Sequence, residues 1–334
     1  MWAFVTTSAI AQSWTPQTSN TSVGLRGISA VSEKIAWASG AKGTFLRTTD
    51  GGVTWTSGVV PGAADADFRG VCALSDKSAY LLSSGSGPLS RLYKTSDGGV
   101  KWDLLMINAK ANGFWDAIAM WDPQHGILLG DPVNGRFEIW TTSDGVTWVE
   151  QKGPPALPQE GAFAASNSSL TVRGARDAWF GTGGAPGAAG AGGARVFHSD
   201  DGGKSRTVAK TPMRHDSESA GIFSIAFSDA RHGVAVGGDY TKPGDGVGSI
   251  ALTEDGGKSW MSPAAPLPGY RSAVVYIDEK KMWIATGTSG SDASVDGGRT
   301  WRSFDQAGYN AMSFAGSAGW AVGPGGMIAK ASLP

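Results

Sequence analysis

The sequence is poor in cysteine, in long apolar runs and in net charge. Its single cysteine, Cys72, excludes an internal disulfide, and the apolar neighbours Val71 and Leu74 predict a small core residue rather than a nucleophile. No stretch of about 18 apolar residues follows the N-terminal segment, so no membrane span is expected. A formal net charge of −1 gives no basic footprint, which argues against a nucleic-acid partner.

The chain also lacks helix-period segments and the short motifs of common catalytic sites. No apolar pattern of helical period runs for a useful length. No cluster has metal-ligand spacing, and neither a G-x-S-x-G nucleophile turn nor a phosphate-binding loop is present. We therefore expect a protein without a metal or a cofactor.

Glycine and tryptophan are abundant instead, and many of them recur in one eight-residue motif. The 50 glycines and 14 tryptophans suit many short strands joined by tight turns. The motif occurs in four clean copies, Thr48–Trp55, Thr95–Trp102, Thr253–Trp260 and Ser294–Trp301, and in two altered copies, Thr142–Trp148 and Ser199–Arg206. Such repetition predicts stacked units with one shared core, rather than the two domains that length alone would suggest.

The residue types of the motif are those of a tight turn. In the first copy the Asp50 carboxylate can accept N–H groups just downstream, and Gly51 and Gly52 can take positive φ angles. Thr48 can fasten the turn from its other side, and Trp55 supplies an apolar anchor for the next strand. A catalytic role for the repeated aspartates is the alternative, but the turn chemistry favours a structural role.

A second pattern, an apolar strand, a glycine-rich turn and another apolar strand, precedes each motif. It occurs seven times, and the seventh copy, Gly319–Gly323 followed by Met327–Ala329, has no motif after it. The segment Ser13–Gln17 looks like the missing last strand. The sequence therefore predicts an all-β fold, a seven-bladed β-propeller of four-stranded antiparallel blades over residues 12–334, closed by the N-terminal strand joining the C-terminal blade.

The eight-residue motif resembles the Asp-box, also called the BNR repeat, with the pattern S/T-x-D-x-G-x-T-W. Seven such blades, with runs like Gly319–Gly323, are similar to the Ycf48/HCF136-like family of photosystem assembly factors and their bacterial relatives. A weaker resemblance links the chain to Asp-box glycosidases, including sialidases. Sialidases have six blades and an F/Y-R-I-P segment, whose nearest counterpart here is Phe68–Val71. These resemblances imply that the motif turns lie away from the functional face.

The N-terminal residues are similar to the end of a secretory signal peptide. A short apolar run precedes Ala9-Ile10-Ala11, a small-x-small cleavage pattern, although a basic n-region is missing. We expect residues 1–11 to be a signal-peptide remnant with cleavage near Ala11, and the protein to be secreted or periplasmic.

The first strands of the seven blades can be aligned, and one aligned position is expected to face the mouth of the central channel. Around the ring this position is Arg26, Arg69, Asp116, Glu160, Phe223, Arg271 and Asn310. A purely structural ring would take small or apolar residues there. Several arginines on one side suit a carboxylate, sulfate or phosphate, because the guanidinium fork binds planar anions. The alternative is that arginines and carboxylates only neutralise each other in a solvated channel.

Loops around the mouth add further candidates. The predicted ligand-binding residues are Arg26, Arg69, Arg271, Asn310, Asp131, Asp239 and Tyr240. His215 is a candidate general acid or base. Asp116 and Glu160 could divide into an acid and a base if their environments separate their pKa values.

Two functions remain open at this stage. The leading hypothesis is an exported, monomeric binding propeller of the Ycf48-like type, whose mouth recognises an anionic small molecule, an acidic saccharide or a segment of a partner protein. The alternative is a carbohydrate-active enzyme, a glycoside hydrolase or polysaccharide lyase, that acts on acidic saccharides through Asp116, Glu160 or His215. Resemblance in fold alone does not decide between them.

Overall fold

The computed structural model describes residues 12–184 and 194–333, and in these ranges the chain forms 27 strands in seven antiparallel sheets. The sheets are the blades of a seven-bladed propeller, so the predicted fold is confirmed. The helical segments of the described ranges are three short 3-10 turns, Gly87–Leu89, Asp278–Lys280 and Pro324–Gly326. None of the helices found there is long and apolar enough to cross a membrane. The predicted signal peptide lies outside the described residues.

Within each of the first six blades the strands pair in chain order. Blade 1 contains β2 (Leu25–Ala30), β3 (Ala36–Gly40), β4 (Thr44–Thr48) and β5 (Thr56–Val59). Blade 2 contains β6 (Phe68–Ala73), β7 (Ala79–Ser83), β8 (Arg91–Thr95) and β9 (Asp103–Ile107). Blade 3 contains β10 (Trp115–Met120), β11 (Gly126–Val133), β12 (Arg136–Thr142) and β13 (Trp148–Gln151). Blade 4 contains β14 (Leu170–Arg173), β15 (Asp177–Gly181), β16 (Arg195–Ser199) and β17 (Thr207–Lys210).

The remaining blades include the shortest sheet and the closing one. Blade 5 contains β18 (Ala220–Phe227), β19 (Gly233–Asp239) and β20 (Ile250–Thr253). Blade 6 contains β21 (Ala273–Ile277), β22 (Met282–Gly287), β23 (Gly290–Ser294) and β24 (Arg302–Asp305). Blade 7 contains β25 (Ala311–Ala315), β26 (Ala318–Val322), β27 (Ile328–Ser332) and, from the start of the chain, β1 (Ser13–Gln17).

Strand β1 closes the ring as the sequence predicts. It pairs antiparallel with β27, from Ser13 opposite Ser332 to Gln17 opposite Ile328. Its Trp14 is buried and donates its indole N–H to Ser291 Oγ of blade 6 at 3.0 Å. The closing strand is therefore held by a full ladder and by a contact with the neighbouring blade, and it gives blade 7 its fourth strand.

In the fifth blade the outermost strand is reduced to a single bridge, between Leu252 and Met261. Three prolines follow this bridge, at Pro263, Pro266 and Pro268. Proline has no N–H to donate to a ladder, so this stretch cannot extend the pairing.

The hydrophobic core lies between neighbouring blades. One cluster joins Leu25 and Leu46 of blade 1 to Trp320 and Ile328 of blade 7, and all four side chains are buried. Burying such a side chain contributes roughly 1.5–3 kcal/mol. Because each blade packs only on its two neighbours, the repeated large side chains stabilise the whole ring.

The turns between the third and fourth strands have the hydrogen bonds that the eight-residue motif predicts. In blade 1 Thr48 Oγ1 accepts the N–H of Gly52 at 2.9 Å and donates to Asp50 Oδ1 at 2.8 Å. Thr54 donates its N–H to Asp50 Oδ1 at 2.9 Å and its hydroxyl to Asp50 Oδ2 at 2.6 Å. Gly51 and Gly52 have φ angles of 77° and 85°. The Asp50 carboxylate is therefore fully used inside its own turn.

Candidate functional site

Four of the first strands have a β-bulge at the position predicted to face the mouth. The pairing of β2 with β3 shifts by one residue at Arg26. The same shift falls at the corresponding residues of β6, β10 and β18, which are Arg69, Asp116 and Phe223. A bulge leaves its residue out of the ladder and redirects its side chain. This irregularity explains how four side chains leave their blades for the channel.

These four side chains line a single cavity of about 1010 Å³. Asn310, Asp131 and Tyr240, which the sequence also predicts at this face, line it as well. The volume is at the upper end of the range for small-molecule and cofactor pockets.

A segment of blade 4 crosses the channel beneath this cavity. Residues 162–169, the crossing segment, precede β14 and leave their own blade to bond with several others. The contacts are Arg26 Nη2 to Ala164 O at 3.5 Å, Ser166 Oγ to Ser272 O at 2.7 Å, Asn167 Nδ2 to Ile118 O at 2.9 Å and Ser168 Oγ to Ser224 Oγ at 2.7 Å. Asn167 Nδ2 also donates to Val71 O at 3.5 Å. Blades 1, 2, 3, 5 and 6 are tied to blade 4 in this way, so the crossing segment forms a fixed floor.

The two arginines of the cavity are held differently. Arg69 donates from Nε to Asp67 Oδ2 at 2.8 Å and lies 5.9 Å from the centre of the Phe114 ring. Arg26 has no ion-pair partner among the described residues, and its buried Nε has no hydrogen-bond partner there. Burial and the charge of Arg69 lower the pKa of Arg26. Arg26 is therefore a cation with unused donors in the cavity wall.

Two carboxyl groups of blade 3 also lie at the cavity. Asp116 is fully buried, and neither of its carboxylate oxygens has a hydrogen-bond partner among the described residues. Burial, and then the charge of Asp131, raise the pKa of Asp116 well above its ordinary value, against the opposing effects of Arg69 and of the nearby backbone N–H of Asp131. That N–H is donated to Phe114 O at 2.8 Å, so it leaves the Asp116 oxygens without a hydrogen bond. Asp131 Oδ1 accepts the N–H of Ala162 at 2.8 Å. Burial is the main reason that the pKa of Asp131 rises to about 6.

Aromatic rings form the third part of the wall. Phe163 of the crossing segment stacks on Phe223, with ring centroids 3.9 Å apart. Tyr270 meets the same Phe223 edge-on at 4.8 Å, and Tyr240 does so at 6.1 Å. All four rings line the cavity. Burial raises the pKa of Tyr270, so its hydroxyl remains a neutral hydrogen-bonding group. The cavity thus combines cations, carboxyl groups and an apolar aromatic surface.

Arg271 does not reach the cavity, and its predicted position is wrong. The ladder of β21 with β22 shows that Ser272, not Arg271, corresponds to Arg26 of blade 1. Ser272 lines the cavity, whereas Arg271 is 2 % exposed and donates from Nε to Asp292 Oδ2 at 2.6 Å. The sequence alignment is displaced by one residue in blade 6.

Glu160 lines the cavity, but its carboxylate is occupied. Arg195 donates from Nε to Oε1 at 2.8 Å and contacts Oε2 through Nη2. Thr182 Oγ1 donates to Oε1 at 2.6 Å, and the N–H of Leu157 donates to Oε2 at 2.8 Å. Strand β14 begins only at Leu170, so Glu160 lies in the loop before it. The prediction that Glu160 begins the innermost strand is wrong, and its carboxylate is already bound by Arg195.

Asp239 and His215 are not among the residues that line the cavity. Asp239 is 1 % exposed and accepts hydrogen bonds from Ser219 Oγ at 2.7 Å and Thr241 Oγ1 at 2.6 Å. Burial favours its neutral form, but these hydrogen bonds outweigh that effect and lower its pKa to about 2. Asp239 therefore holds a loop together, and His215 lies half-buried outside the cavity.

Sequence reasoning missed the crossing segment and two aromatic side chains, Phe163 and Tyr270. The signal was present: the polar run Ser166–Ser169 lies immediately before Leu170, where β14 begins. In the described residues no group of three or more His, Cys, Asp or Glu side chains is arranged to hold a metal ion.

Comparison with known proteins finds no matching family model and no matching curated protein. Among solved structures the chain is similar in fold to one described as YCF48 bound to D1 peptide, with 15 % identity, 96 % and 97 % of the two chains covered and a TM-score of 0.66. It is also similar to YCF48 from Cyanidioschyzon merolae, with 18 % identity, coverage of 96 % and 98 % and a TM-score of 0.66. A virginiamycin B lyase from Staphylococcus aureus gives 14 % identity, coverage of 97 % and 100 % and a TM-score of 0.70. At these identities the similarity shows the propeller fold alone.

Proposed function

We propose that this protein is a binding propeller whose cavity recognises the carboxylate of a partner protein segment through Arg26 and Arg69. The observation that carries the proposal is the state of Arg26. Its guanidinium lies in the cavity wall, lacks an ion-pair partner among the described residues, and makes only a 3.5 Å hydrogen bond to Ala164 O. A partly buried cation with unused donors is costly unless a ligand supplies the counter-charge.

The neighbouring charge strengthens this proposal. Arg69 lies close enough to lower the pKa of Arg26 by charge repulsion. A carboxylate placed between the two guanidinium groups would relieve that repulsion and accept hydrogen bonds from both. A peptide is the favoured carrier because one fold neighbour is described as YCF48 bound to D1 peptide. That binding belongs to the neighbour, and its extension to this chain is part of the proposal.

The test is a binding titration with fluorescein-labelled tetrapeptides, Ala-Phe-Ala-Ala, that end in a free carboxylate or in an amide. We expect the free carboxylate to bind at least about tenfold more tightly, the scale of one charge-assisted hydrogen-bonded pair. Arg26→Gln and Arg69→Gln should each remove most of this preference. Arg299→Gln is the matched control, because Arg299 pairs with Glu254 away from the cavity. Equal binding of the two peptides, or an unchanged preference in the double variant, would overturn the proposal.

The alternative function, a carbohydrate-active enzyme, has less support from the structure than from the sequence. Its predicted pair, Asp116 and Glu160, loses Glu160 to the contacts with Arg195. Asp116 and Asp131 remain as free carboxyl groups at the cavity, and a raised pKa suits a general acid. Incubation with uronate-containing oligosaccharides tests this function. Turnover that disappears in Asp131→Asn would favour the enzyme over the binding protein.

A further inference from the structure

The carboxyl side of the cavity has more acceptors than the protein uses. Both oxygens of Asp116 lack a hydrogen-bond partner among the described residues. Asp131 uses Oδ1 for the N–H of Ala162, and none of the hydrogen bonds or ion pairs in the described ranges involves its Oδ2. Buried polar groups in native proteins are nearly always satisfied, so three unused oxygens at one place call for a partner.

The arginines of the cavity do not supply that partner. Arg69 is bound to Asp67 through Nε, and neither Arg69 nor Arg26 lies within ion-pair distance of Asp116 or Asp131. Lys110 is bound to Glu138, whose charge acts on both acids, at 2.9 Å. The acidic side therefore keeps its unused acceptors although the same cavity contains two guanidinium groups. Asp116 and Asp131 therefore form no ion pair with the arginines of the cavity, although Arg69 lies near enough to affect the pKa of Asp116.

We propose that Asp131 and Asp116 form a second subsite, which binds a protonated primary amine of the ligand. An ammonium group has three N–H donors and no acceptor, and its positive charge favours the ionised form of Asp116 against the burial that opposes it. Asp131 is partly exposed and makes the first contact, and Asp116, which is buried but lines the same cavity, accepts from the same ammonium group. Calcium fits less well, because it takes six to eight oxygen ligands.

The second subsite and the proposed carboxylate site together define the ligand class, and this definition rests on the proposed function. The cavity takes a dipolar ligand, a short peptide whose ammonium meets Asp131 and whose carboxylate meets Arg26. The space of about 1010 Å³ and the aromatic wall of Phe163, Phe223 and Tyr270 accommodate an apolar side chain between the two charged ends.

Calorimetric titration with four forms of one tetrapeptide, Ala-Phe-Ala-Ala, separates the two subsites. The forms have the amine free or acetylated, combined with the carboxylate free or amidated. We expect acetylation to weaken binding to the wild type at least tenfold, and this penalty to disappear in Asp131→Asn and to shrink in Asp116→Asn. The penalty for amidation should persist in both variants and disappear in Arg26→Gln.

Glu218→Gln is the matched control, because Glu218 lines the same cavity outside the pair. It should leave the acetylation penalty intact, and circular dichroism should show that each variant is folded. An acetylation penalty below twofold in the wild type, one that survives in Asp131→Asn, or no binding of any form at millimolar peptide would overturn the second subsite. A penalty for acetylation without one for amidation would retain it and refute the carboxylate site instead.

Discussion

Arg271 and Asp292 form a buried ion pair at the two positions of blade 6 that Leu25 and Leu46 occupy in blade 1. Nε of Arg271 lies 2.6 Å from Asp292 Oδ2, and both side chains are at most 2 % exposed. The ladders make the correspondence explicit, because β22 pairs with β21 and β23 as β3 pairs with β2 and β4. One blade thus uses opposite charges where another uses two leucines.

Breaking this pair should cost far more than replacing it. In Arg271→Leu the buried Asp292 carboxylate keeps only its hydrogen bonds, including one from Ser303. We expect a loss of about 3–5 kcal/mol in the free energy of unfolding, measured by urea titration. The double variant Arg271→Leu/Asp292→Leu reproduces blade 1 and should recover most of the loss. A double variant as unstable as the single one would show that blade 6 cannot accept the apolar arrangement.

The blade number and the ring closure were predictable because local chemistry enforces them. The turn at Asp50 needs an acid, a hydroxyl residue and glycines at fixed offsets, and the side-chain hydrogen bonds of Asp50 and Thr48 lie within the motif. A requirement that is met within eight residues leaves a readable pattern in the sequence. The seventh copy of the strand pattern has no motif after it, and this absence predicted that Ser13–Gln17 supplies the closing strand.

The residues that line the mouth were only partly predictable, because the position of Arg271 and the path of the crossing segment depend on residues distant in sequence. In blades 1 and 2 an apolar residue precedes Arg26 and Arg69, and glycine follows. In blade 6 the arginine of Tyr270-Arg271-Ser272 also follows a large aromatic residue, but it lies one residue before the position that corresponds to Arg26. Its true register depends on Asp292, 21 residues further along, which accepts the arginine inside the blade. The crossing segment was missed because its partners lie on five other blades.

Asn167 is expected to be the most sensitive residue of the crossing segment. Its side chain accepts the N–H of Ile118 and donates to the Ile118 carbonyl, both at 2.9 Å. These are the two hydrogen bonds that a neighbouring strand would otherwise make with Ile118. Asn167→Gly removes both bonds while tolerating the φ angle of 66°. We expect a loss of about 2–4 kcal/mol in the free energy of unfolding, because two buried backbone groups lose partners.

The matched control for this variant is Asn134→Gly. Asn134 has a similar φ angle of 52°, but it is exposed and its side chain makes no hydrogen bond within the described ranges. Urea titration should show a change within about 0.5 kcal/mol for the control. Equal losses in the two variants would mean that backbone conformation, not the contact with Ile118, sets the stability.

The turn aspartates should make stability depend on acid pH. Hydrogen bonds from the hydroxyl and N–H of Thr54, and then from Thr48, lower the pKa of Asp50 to about 2. The contribution is therefore complete above the ordinary pKa near 4 and is lost as pH falls toward 2. Asp50→Ala should lower the urea midpoint clearly at pH 7 and less at pH 2.5. Glu33→Ala, an exposed acid on the same face, should have little effect at either pH. A difference in urea midpoint between Asp50→Ala and the wild type that is as large at pH 2.5 as at pH 7 would contradict the lowered pKa of Asp50.

Asp131 should make stability depend on pH in the opposite direction. Burial first, and then the charge of Glu138, raise the pKa of Asp131 to about 6, against the hydrogen bond from Ala162. The folded protein therefore holds this proton more tightly than the unfolded chain does, and stability is lost as pH rises from about 4 through about 6.

Asp131→Asn removes the titrating carboxyl group and can keep the hydrogen bond from the N–H of Ala162. We expect the variant to match the wild type near pH 4 and to exceed it by roughly 1–3 kcal/mol at pH 8, the scale of one to two pKa units. Urea titrations at both pH values, with Asp103→Asn as an exposed control, measure this difference. A less stable Asp131→Asn protein at pH 8 would mean that the Asp131 carboxylate is already satisfied within the protein, which would contradict the proposed amine subsite.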